Sequence, residues 1–292
     1  MDTERIKQIK KLALIAIFSD NKMFEILALK GGSAIDMFYP PAGRASIDLD
    51  CSLSADLVAD DESLCKLFSK LLTDTFKPEN YVVFDVKFEE KPENLSTKMA
   101  TFWGGYLLEF KVIEQHLFDQ YGSDLEKIRN YANEVGPRHR KTFQVDFSKF
   151  EYCNGKVAKI LDDYTIFVYT PLMIACEKLR AICQQTSEYR KIVKSHHPAS
   201  RARDFFDIHY LTKQEKLNWC SDETLKMVRA MFKIKHVPWN LLGKIHNYRH
   251  LHEKSFAALR DTVRPNIKLF DFDFYFDFVL NIAGELEPLG DV

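Results

Sequence analysis

The strongest constraint on this chain is a pair of aspartates, Asp48 and Asp50, one residue apart in an alternating segment. Ile47, Leu49 and Cys51 alternate with polar residues, and this period of two predicts a half-buried strand. Both carboxylates would then lie on one strand face, about 6 to 7 Å apart. Because like charges repel and aspartate is depleted in strands, the pair indicates a cation site. The alternative is a polar strand face in water.

A glycine turn lies about one helix upstream of the two aspartates. Gly31, Gly32 and Ser33 stand at the start of a predicted helix that reaches Phe38 and ends at Pro40-Pro41-Ala42-Gly43. Amides at a helix N-terminus bind anions, and glycine lets a phosphate approach the backbone closely. A simple tight turn is the alternative, and the spacing matches neither a Walker A loop nor a dinucleotide fingerprint. Together with the aspartates, the turn predicts a site for a nucleoside triphosphate with Mg²⁺ or Mn²⁺.

Composition and charge are those of an ordinary globular protein. The 292 residues are 46% hydrophobic and 28% charged, and the net charge of −1 gives no overall attraction to nucleic acid or membrane. The apolar run 12–18 is too short for a signal peptide or a membrane span. Six cysteines without metal-ligand spacing predict reduced thiols rather than a zinc site. We therefore expect a cytoplasmic protein.

The order of the elements predicts an α+β domain over residues 1–170 and a helical domain over 171–292. Periodicity predicts helices and strands in the first domain, with helices at 6–17, 57–76 and 124–133 and strands at 47–51, 81–88, 105–113, 143–147, 157–161 and 165–169. Helical stripes dominate after Pro171, and one helix is predicted over 245–259. The segment FDFDFYFDFV at 270–279 alternates like a strand, but its helical neighbourhood favours a helix.

Three stretches of the sequence resemble a known family. "GGSAIDMFY…RASIDLD" resembles the turn and D-x-D signature of the nucleotidyltransferase superfamily and, more narrowly, the AbiEii/AbiGii abortive-infection toxin family. "PLMIACEKLRAICQQ" at 171–185 and "RARDFFDIHYL" at 201–211 are similar to two later helices of that family. The three motifs keep the family's order from Lys30 to Leu211. One departure is a slightly long segment between Ser33 and Asp48.

The resemblance implies a fold and an activity. The fold would be a polymerase-β-like nucleotidyltransferase domain with a mixed sheet, followed by a helical domain. The activity would be transfer of a nucleotidyl group from an NTP by a two-metal mechanism. Proposed acceptors in the family include tRNA 3′ ends, and the toxins are restrained by a partner antitoxin.

Carried over residue by residue, the resemblance gives the candidate site in the first domain. Asp48 and Asp50 would hold the metal, and the amides of Gly31, Gly32 and Ser33, with the Ser33 hydroxyl, would hold the β- and γ-phosphates. The superfamily has a third carboxylate on a neighbouring strand, and the candidate is Glu109, which stands among apolar residues. The alternative for Glu109 is an ion pair with Lys111.

The remaining candidates come from the later motifs and from the segment before the aspartates. Lys178 would reach the triphosphate, the alternative being an ordinary solvated lysine. Asp204 would orient Lys178 or act as a general base, and the residues leave both roles open. Asp207 shares the same helix face and could pair with Arg203. Two further residues would contact phosphate or simply fix the strand: Arg44 and Ser46.

The acceptor is expected to be RNA, because two segments of the helical domain are basic. Residues 189–203 and 224–252 carry many lysines and arginines and no acid, and Trp239 and Tyr248 lie in the second segment. An exposed helical face with core aromatics is the alternative. Two rival functions stay open: transfer to a small molecule or a protein side chain, and a non-catalytic module that senses nucleotides or binds an antitoxin.

Overall fold

The computed structural model describes residues 3–40, 42–93, 95–136 and 139–290, and the chain divides into two units. The first unit comprises Met1–Ser33 and Ile47–Val168, and the second comprises Ala34–Ser46 and Tyr169–Val292. The sequence predicted a division after residue 170 but not the excursion of residues 34–46 into the second unit. Of the predicted break at 40–43, Pro41 lies outside the described residues.

Within the described residues, the first unit contains one mixed seven-stranded sheet. Its order is β3-β4-β5-β2-β1-β7-β6. Two neighbouring pairs, β2 with β5 and β1 with β7, are parallel, and the other pairs are antiparallel. The mixed sheet confirms the predicted α+β class. The strands are β1 (Leu27–Lys30), β2 (Leu49–Leu53), β3 (Tyr81–Lys91), β4 (Gly105–Glu114), β5 (Phe143–Ser148), β6 (Val157–Leu161) and β7 (Tyr164–Val168).

Apolar stripes and side-chain caps in the sequence account for the amphipathic helices of the first part of the chain. Asp20 and Asp60 cap the helices that follow them, through backbone amides of the first turn. Phe68 is fully buried, and its ring lies 5.0 Å from that of Phe88 and 5.6 Å from that of Phe147. The helices up to residue 131 are α1 (Thr3–Phe18), α2 (Asn21–Ile26), α3 (Gly31–Phe38), α4 (Asp61–Phe76), α5 (Gln115–Tyr121) and α6 (Leu125–Tyr131).

The burial pattern of β5 shows which face of that strand is covered. In β5, Val145 and Phe147 are buried, whereas Asp146 between them is exposed. Phe68 of α4 packs on Phe147, so the covered face is the one beneath that helix. Because cross-strand partners point to the same face, the side opposite α4 presents the polar side chains of β2 and β5.

The second unit is helical in its described part. The predicted helix over the FDFDFYFDFV segment is confirmed, because Asp271 caps it and Phe272, Tyr275 and Val279 are buried. A ten-residue 3-10 helix spans Trp239–Tyr248. The α-helices from Pro171 onward are α7 (Pro171–Cys183), α8 (Ala202–Glu215), α9 (Asp222–Ile234), α10 (Arg249–Glu253), α11 (Phe256–Arg260) and α12 (Phe272–Leu286).

The prediction of a single helix over 245–259 is wrong. The chain there forms the end of the 3-10 helix and then α10 and α11. The amide of Ser255 donates to the Ser200 hydroxyl at 3.0 Å. A bond to a distant side chain replaces the helical bond that would have continued α10.

The strand that carries the aspartates is also shifted from its predicted bounds, because β2 begins only at Leu49. Residues before it pair elsewhere in the second unit. The amide of Ala45 donates to the Thr262 carbonyl at 2.9 Å, and the amide of Arg264 donates to the Gly43 carbonyl at 3.0 Å. These non-local hydrogen bonds therefore delay the start of β2 to Leu49, and Asp48 lies just before the strand.

All six cysteines lie in the described residues and are free thiols, as predicted. Burial raises the pKa of Cys176 and Cys183, so these thiols are inert core residues. Among the described residues, no helix has the length and apolar character needed to cross a membrane.

We expect Phe68→Ala to lower the free energy of unfolding by about 3 to 5 kcal/mol, because it opens a cavity between α4 and the sheet. Val58→Ala is the control, since Val58 is 100% exposed. Urea denaturation measures both. A loss at Phe68 no larger than that at Val58 would show that this face is not the core.

Candidate active site

Three charged side chains form a row across three adjacent strands of the first unit. Lys30 on β1 is the cross-strand partner of Asp50 on β2, and Asp50 is the partner of Asp146 on β5. Partners in register point to the same face, and neighbouring strands lie about 4.8 Å apart. Asp50 and Asp146 therefore stand side by side on the face opposite α4.

Asp146 was missed by the sequence analysis. Its segment, QVDFS, alternates buried and polar residues as β2 does, with an aspartate on the polar face. That signal was present in the sequence. What the sequence does not contain is the parallel pairing of β5 with β2, which joins residues nearly a hundred positions apart.

The glycine turn lies directly against the Asp50 carboxylate. Gly31 has φ +67°, and a Cβ added there would meet Asp50 Oδ2 at 2.8 Å. Both the backbone conformation and the close approach therefore require glycine. The buried Ser33 hydroxyl donates to the Asp48 carbonyl and ties the turn to the residue before β2. Gly31, Gly32 and Ser33 open α3, so their amides have no acceptor within that helix.

Asp48 lies beside this row, and its carboxylate is held by an arginine. Arg140 Nη2 donates to Asp48 Oδ1 at 2.8 Å, and the two side chains are 31% and 51% exposed. Arg140 Nη1 also donates to the Gln144 side chain at 3.2 Å. The sequence analysis gave Arg140 no role.

The row of carboxylates is short of positive charge. The pKa of Asp146 is raised to about 6, first by desolvation and then by the negative charges of Asp50 and Asp48, while Lys30 opposes the shift. Because the Asp146 side chain is still exposed to solvent, we give the charge repulsion the greater weight. Lys30 is buried and pairs with Glu151 at 3.3 Å, so it cannot neutralise the row alone.

The donor set fits a hard divalent cation. Within the described residues, no three His, Cys, Asp or Glu side chains are arranged together to hold a metal ion. Asp48 is engaged by Arg140, which leaves Asp50 and Asp146 as the neighbouring pair. Magnesium usually takes one or two protein carboxylates plus water and substrate phosphates. Two adjacent carboxylates that repel each other meet that requirement.

Glu109 occupies a different place from the one expected for a third metal ligand. It lies on β4, which neighbours β5 but not β2. Gln144 Nε2 donates to Glu109 Oε1 at 2.7 Å. The alternative ion pair with Lys111 is wrong, because Lys111 binds Asp85 at 2.7 Å. The metal role of Glu109 stays a prediction, whereas Asp146 holds the position next to β2.

A separate cluster of charged residues lies in the second unit. Arg44 binds Asp207 with two hydrogen bonds, at 2.8 Å and 2.7 Å, and both side chains are buried. Desolvation would lower the pKa of Arg44, but the charge of Asp207 outweighs it and raises that pKa. Arg44 thus fixes the segment before the aspartates to α8. The Ser46 amide donates to Asp36 Oδ2 at 3.4 Å, also within this unit.

Lys178 and Asp204 belong to the same cluster. Lys178 Nζ lies 2.6 Å from Asp204 Oδ1 and 3.0 Å from Asp207 Oδ2, with all three side chains at most 10% exposed. Desolvation alone would raise the pKa of Asp207, but Arg44 and Lys178 outweigh it and lower that pKa. The Lys178 ammonium is therefore held by two carboxylates rather than solvated. The functional roles of Lys178 and Asp204 stay predictions.

The mixed sheet, its glycine turn and its acidic row define a protein with the nucleotidyltransferase type of fold. The chain belongs to the AbiEii nucleotidyl transferase toxin family of type IV toxin–antitoxin systems, whose family model matches residues 12–278. This confirms the resemblance seen in the sequence. It also supports nucleotidyl transfer as the general activity.

Solved structures were compared as well. JHP933 from Helicobacter pylori gives a TM-score of 0.50 at 15% identity, covering 99% of this chain and 94% of that chain. A second H. pylori protein, proposed to be a nucleotidyltransferase, gives 0.48 at 15% identity over 99% and 97% of the two chains. An antigenic nucleotidyltransferase-like protein from Paracoccidioides brasiliensis gives 0.36 at 12% identity over 90% and 96%. The similarity to JHP933 shows a shared fold. A search of curated proteins returned no match.

We expect Asp146→Asn to stabilise the protein at pH 7.5 in the absence of divalent ions. The pKa of Asp146 is about 6 in the folded protein against an ordinary 3.8. Its contribution to stability is therefore complete below about pH 4 and is lost as the pH rises through about 6. After screening at this exposed position the gain should be about 1 kcal/mol or less.

Urea denaturation at pH 4 and pH 7.5 measures this effect, and the difference between variant and wild type should vanish at pH 4. Asp163→Asn is the control, because Asp163 is exposed on the turn between β6 and β7. A variant that is less stable than wild type at pH 7.5 would refute the repulsion inferred for the acidic row.

We expect Asp207→Asn to destabilise the protein more than Asp204→Asn, when both are compared by urea denaturation at pH 7. Asp207 neutralises both Arg44 and Lys178, whereas Asp204 lies mainly against Lys178. Removing one partner of a buried ion pair costs about 3 to 5 kcal/mol. Equal losses for the two variants would contradict the central place given to Asp207.

Proposed function

We propose that this protein transfers a nucleotidyl group from an NTP, with a divalent cation at Asp50 and Asp146, to an RNA acceptor. The observation that supports this most is the contact of Asp50 with the Gly31 turn. It puts a carboxylate pair and a set of helix N-terminal amides at one place on one sheet face. A triphosphate needs both, since its oxygens bind metal ions and its charge binds amide donors.

Different residues of the first unit are proposed to bind the phosphates and the cation. The amides of Gly31, Gly32 and Ser33 receive the β- and γ-phosphates, while the Ser33 hydroxyl holds the Asp48 carbonyl and keeps the turn in place. Asp50 and Asp146 would hold Mg²⁺ or Mn²⁺, with Asp48 as a further carboxylate beside them. The bound cation supplies charge neutralisation at the α-phosphate during in-line displacement.

In the second unit we propose different roles for the two charged pairs. Arg44 and Asp207 are structural, because their charges are buried and matched. Asp204 orients the Lys178 ammonium, which is 2.6 Å away. A phosphate contact by Lys178 and a proton-accepting role for Asp204 stay predictions, as does a phosphate contact by Arg44 or Ser46.

The proposal of an RNA acceptor is supported by exposed basic side chains and receives less support from the aromatic residues first singled out. Arg190, Lys191 and Lys194 are exposed in their segment. By contrast, the Trp239 indole donates to two backbone carbonyls at 3.2 Å, and the Tyr248 hydroxyl binds Ser187 and Glu188. We therefore place RNA phosphates on the basic segment 189–203 and assign no base stacking to Trp239 or Tyr248.

A cognate antitoxin is the proposed partner, because the family is one of toxin–antitoxin systems. A cytoplasmic location also stays a prediction. Transfer to a small molecule or a protein is the rival activity, and a nucleotide-sensing module without catalysis is the rival class.

The proposal is tested with each α-labelled NTP, total tRNA and Mg²⁺. We expect label to enter RNA with wild type and with Asp163→Asn. Asp50→Asn and Asp146→Asn should each lose about 10²-fold or more in rate, as expected when charge stabilisation of the transferring group is removed. Each variant is first checked for folding by circular dichroism.

Other results would redirect the proposal. Label on protein or on a small molecule would support the rival activity, in which the acceptor is not RNA. Nucleotide binding without any label would indicate the non-catalytic module. Full activity of Asp50→Asn would remove the acidic row from the reaction altogether.

A further inference from the structure

Arg140 holds the carboxylate of Asp48 in the described part of the chain. Its guanidinium donates to Asp48 Oδ1 at 2.8 Å and to Gln144 Oε1 at 3.2 Å. Gln144 in turn donates to Glu109 Oε1 at 2.7 Å. Glu109 thus orients the Gln144 amide, and Gln144 presents its oxygen to the guanidinium.

The backbone at Arg140 is fixed, while its guanidinium lies in a half-exposed position. The amide of Val135 donates to the Arg140 carbonyl at 2.7 Å, and Gly136 forms a β-bridge with Arg140. A Cβ added at Gly136 would meet Arg140 Nε at 2.5 Å, so the side chain leaves the backbone through a space that only glycine provides. Its Nε is buried and has no hydrogen-bond partner among the residues that the structure describes.

The ion pair with Asp48 is suited to exchange. The two side chains are 31% and 51% exposed, and exposed ion pairs are weak. Lys30, by contrast, is buried with Glu151 and is a permanent part of the site. A guanidinium also binds phosphate oxygens through paired donors, which an ammonium cannot do in the same way.

We propose that Arg140 is an exchangeable cation: it neutralises Asp48 while no nucleotide is bound, and it moves to the triphosphate when a divalent ion and an NTP occupy the site. This inference rests on the proposed function. Arg140 then competes with the metal ion for Asp48 in the empty site and contacts phosphate in the filled one. One side chain thereby makes metal binding depend on the nucleotide.

The test measures two affinities that are independent of turnover. Mn²⁺ binding to the nucleotide-free protein is followed by electron paramagnetic resonance. Binding of ATP, GTP, CTP and UTP with Mg²⁺ is followed by calorimetry, and the nucleotide that wild type binds most tightly is carried through the variants. The variants are Arg140→Ala, Arg140→Lys and the control Lys70→Ala, which removes an exposed positive charge from α4.

We expect Arg140→Ala to tighten Mn²⁺ binding by about two- to fivefold, because the competing cation is gone. The same variant should weaken NTP binding by about tenfold or more, since a charged phosphate contact is lost. Arg140→Lys should bind Mn²⁺ nearly as wild type does, because the charge remains, but should also bind NTP more weakly. Lys70→Ala should change neither affinity.

Either of two results overturns the inference. One is an Arg140→Ala variant that is folded and has both affinities of wild type, and the other is tighter Mn²⁺ binding with unchanged NTP binding. Failure of the proposed function is distinguishable. That failure appears in wild type itself, which then either binds neither Mn²⁺ nor any NTP or binds nucleotide and transfers no label, whereas the inference is judged from the Arg140 variants.

Discussion

The contact between the Gly31 backbone and the Asp50 carboxylate is the constraint on which the candidate site depends. A Cβ at that position would meet Asp50 Oδ2 at 2.8 Å, and the φ of +67° excludes most other residues as well. The φ of this turn therefore favours glycine, and the pairing of β2 with β5 keeps Asp50 on the face it shares with Asp146. Every role proposed for the first unit follows from this fixed placement.

The protein has two charge clusters built from the same residue types, and they differ in charge balance and in burial. In the second unit, Arg44 and Lys178 face Asp204 and Asp207, so two cations match two carboxylates in a buried setting. Such a cluster is complete without a ligand, and its physical effect is to hold α8, α7 and the segment before the aspartates together. Around Asp50 in the first unit, as far as the structure describes it, three aspartates lie beside Lys30 and Arg140, and Asp146 is exposed. Accessible carboxylates can bind a cation directly, whereas a buried, matched ion pair must first be separated.

The sequence analysis found the site residues that a local sequence pattern reveals. It missed those that come together only through the pairing of distant strands. Period-two alternation identified Asp50 and its strand, and glycine chemistry identified the turn. Asp146 lies in an equally clear alternating segment, but its importance comes from the parallel pairing of β5 with β2. The same limit explains Glu109, whose strand was recognised although its distance from β2 in the sheet was not. The excursion of residues 34–46 into the second unit also depends on pairing with residues 262–264, which no local pattern reveals.

The charge balance of the first-unit site supports the proposal that a divalent ion binds there together with a nucleotide. Asp48, Asp50, Asp146 and Glu151 carry four negative charges, and Lys30 and Arg140 carry two positive charges, so the set has a formal charge of −2. One divalent cation neutralises that set while Arg140 remains. If Arg140 moves to a phosphate, the set becomes more negative by one charge and its attraction for a divalent ion increases. Nucleotide binding and metal binding would then strengthen each other by reciprocal linkage. The raised pKa of Asp146 reflects desolvation together with the negative charges of Asp50 and Asp48, which Lys30 only partly opposes.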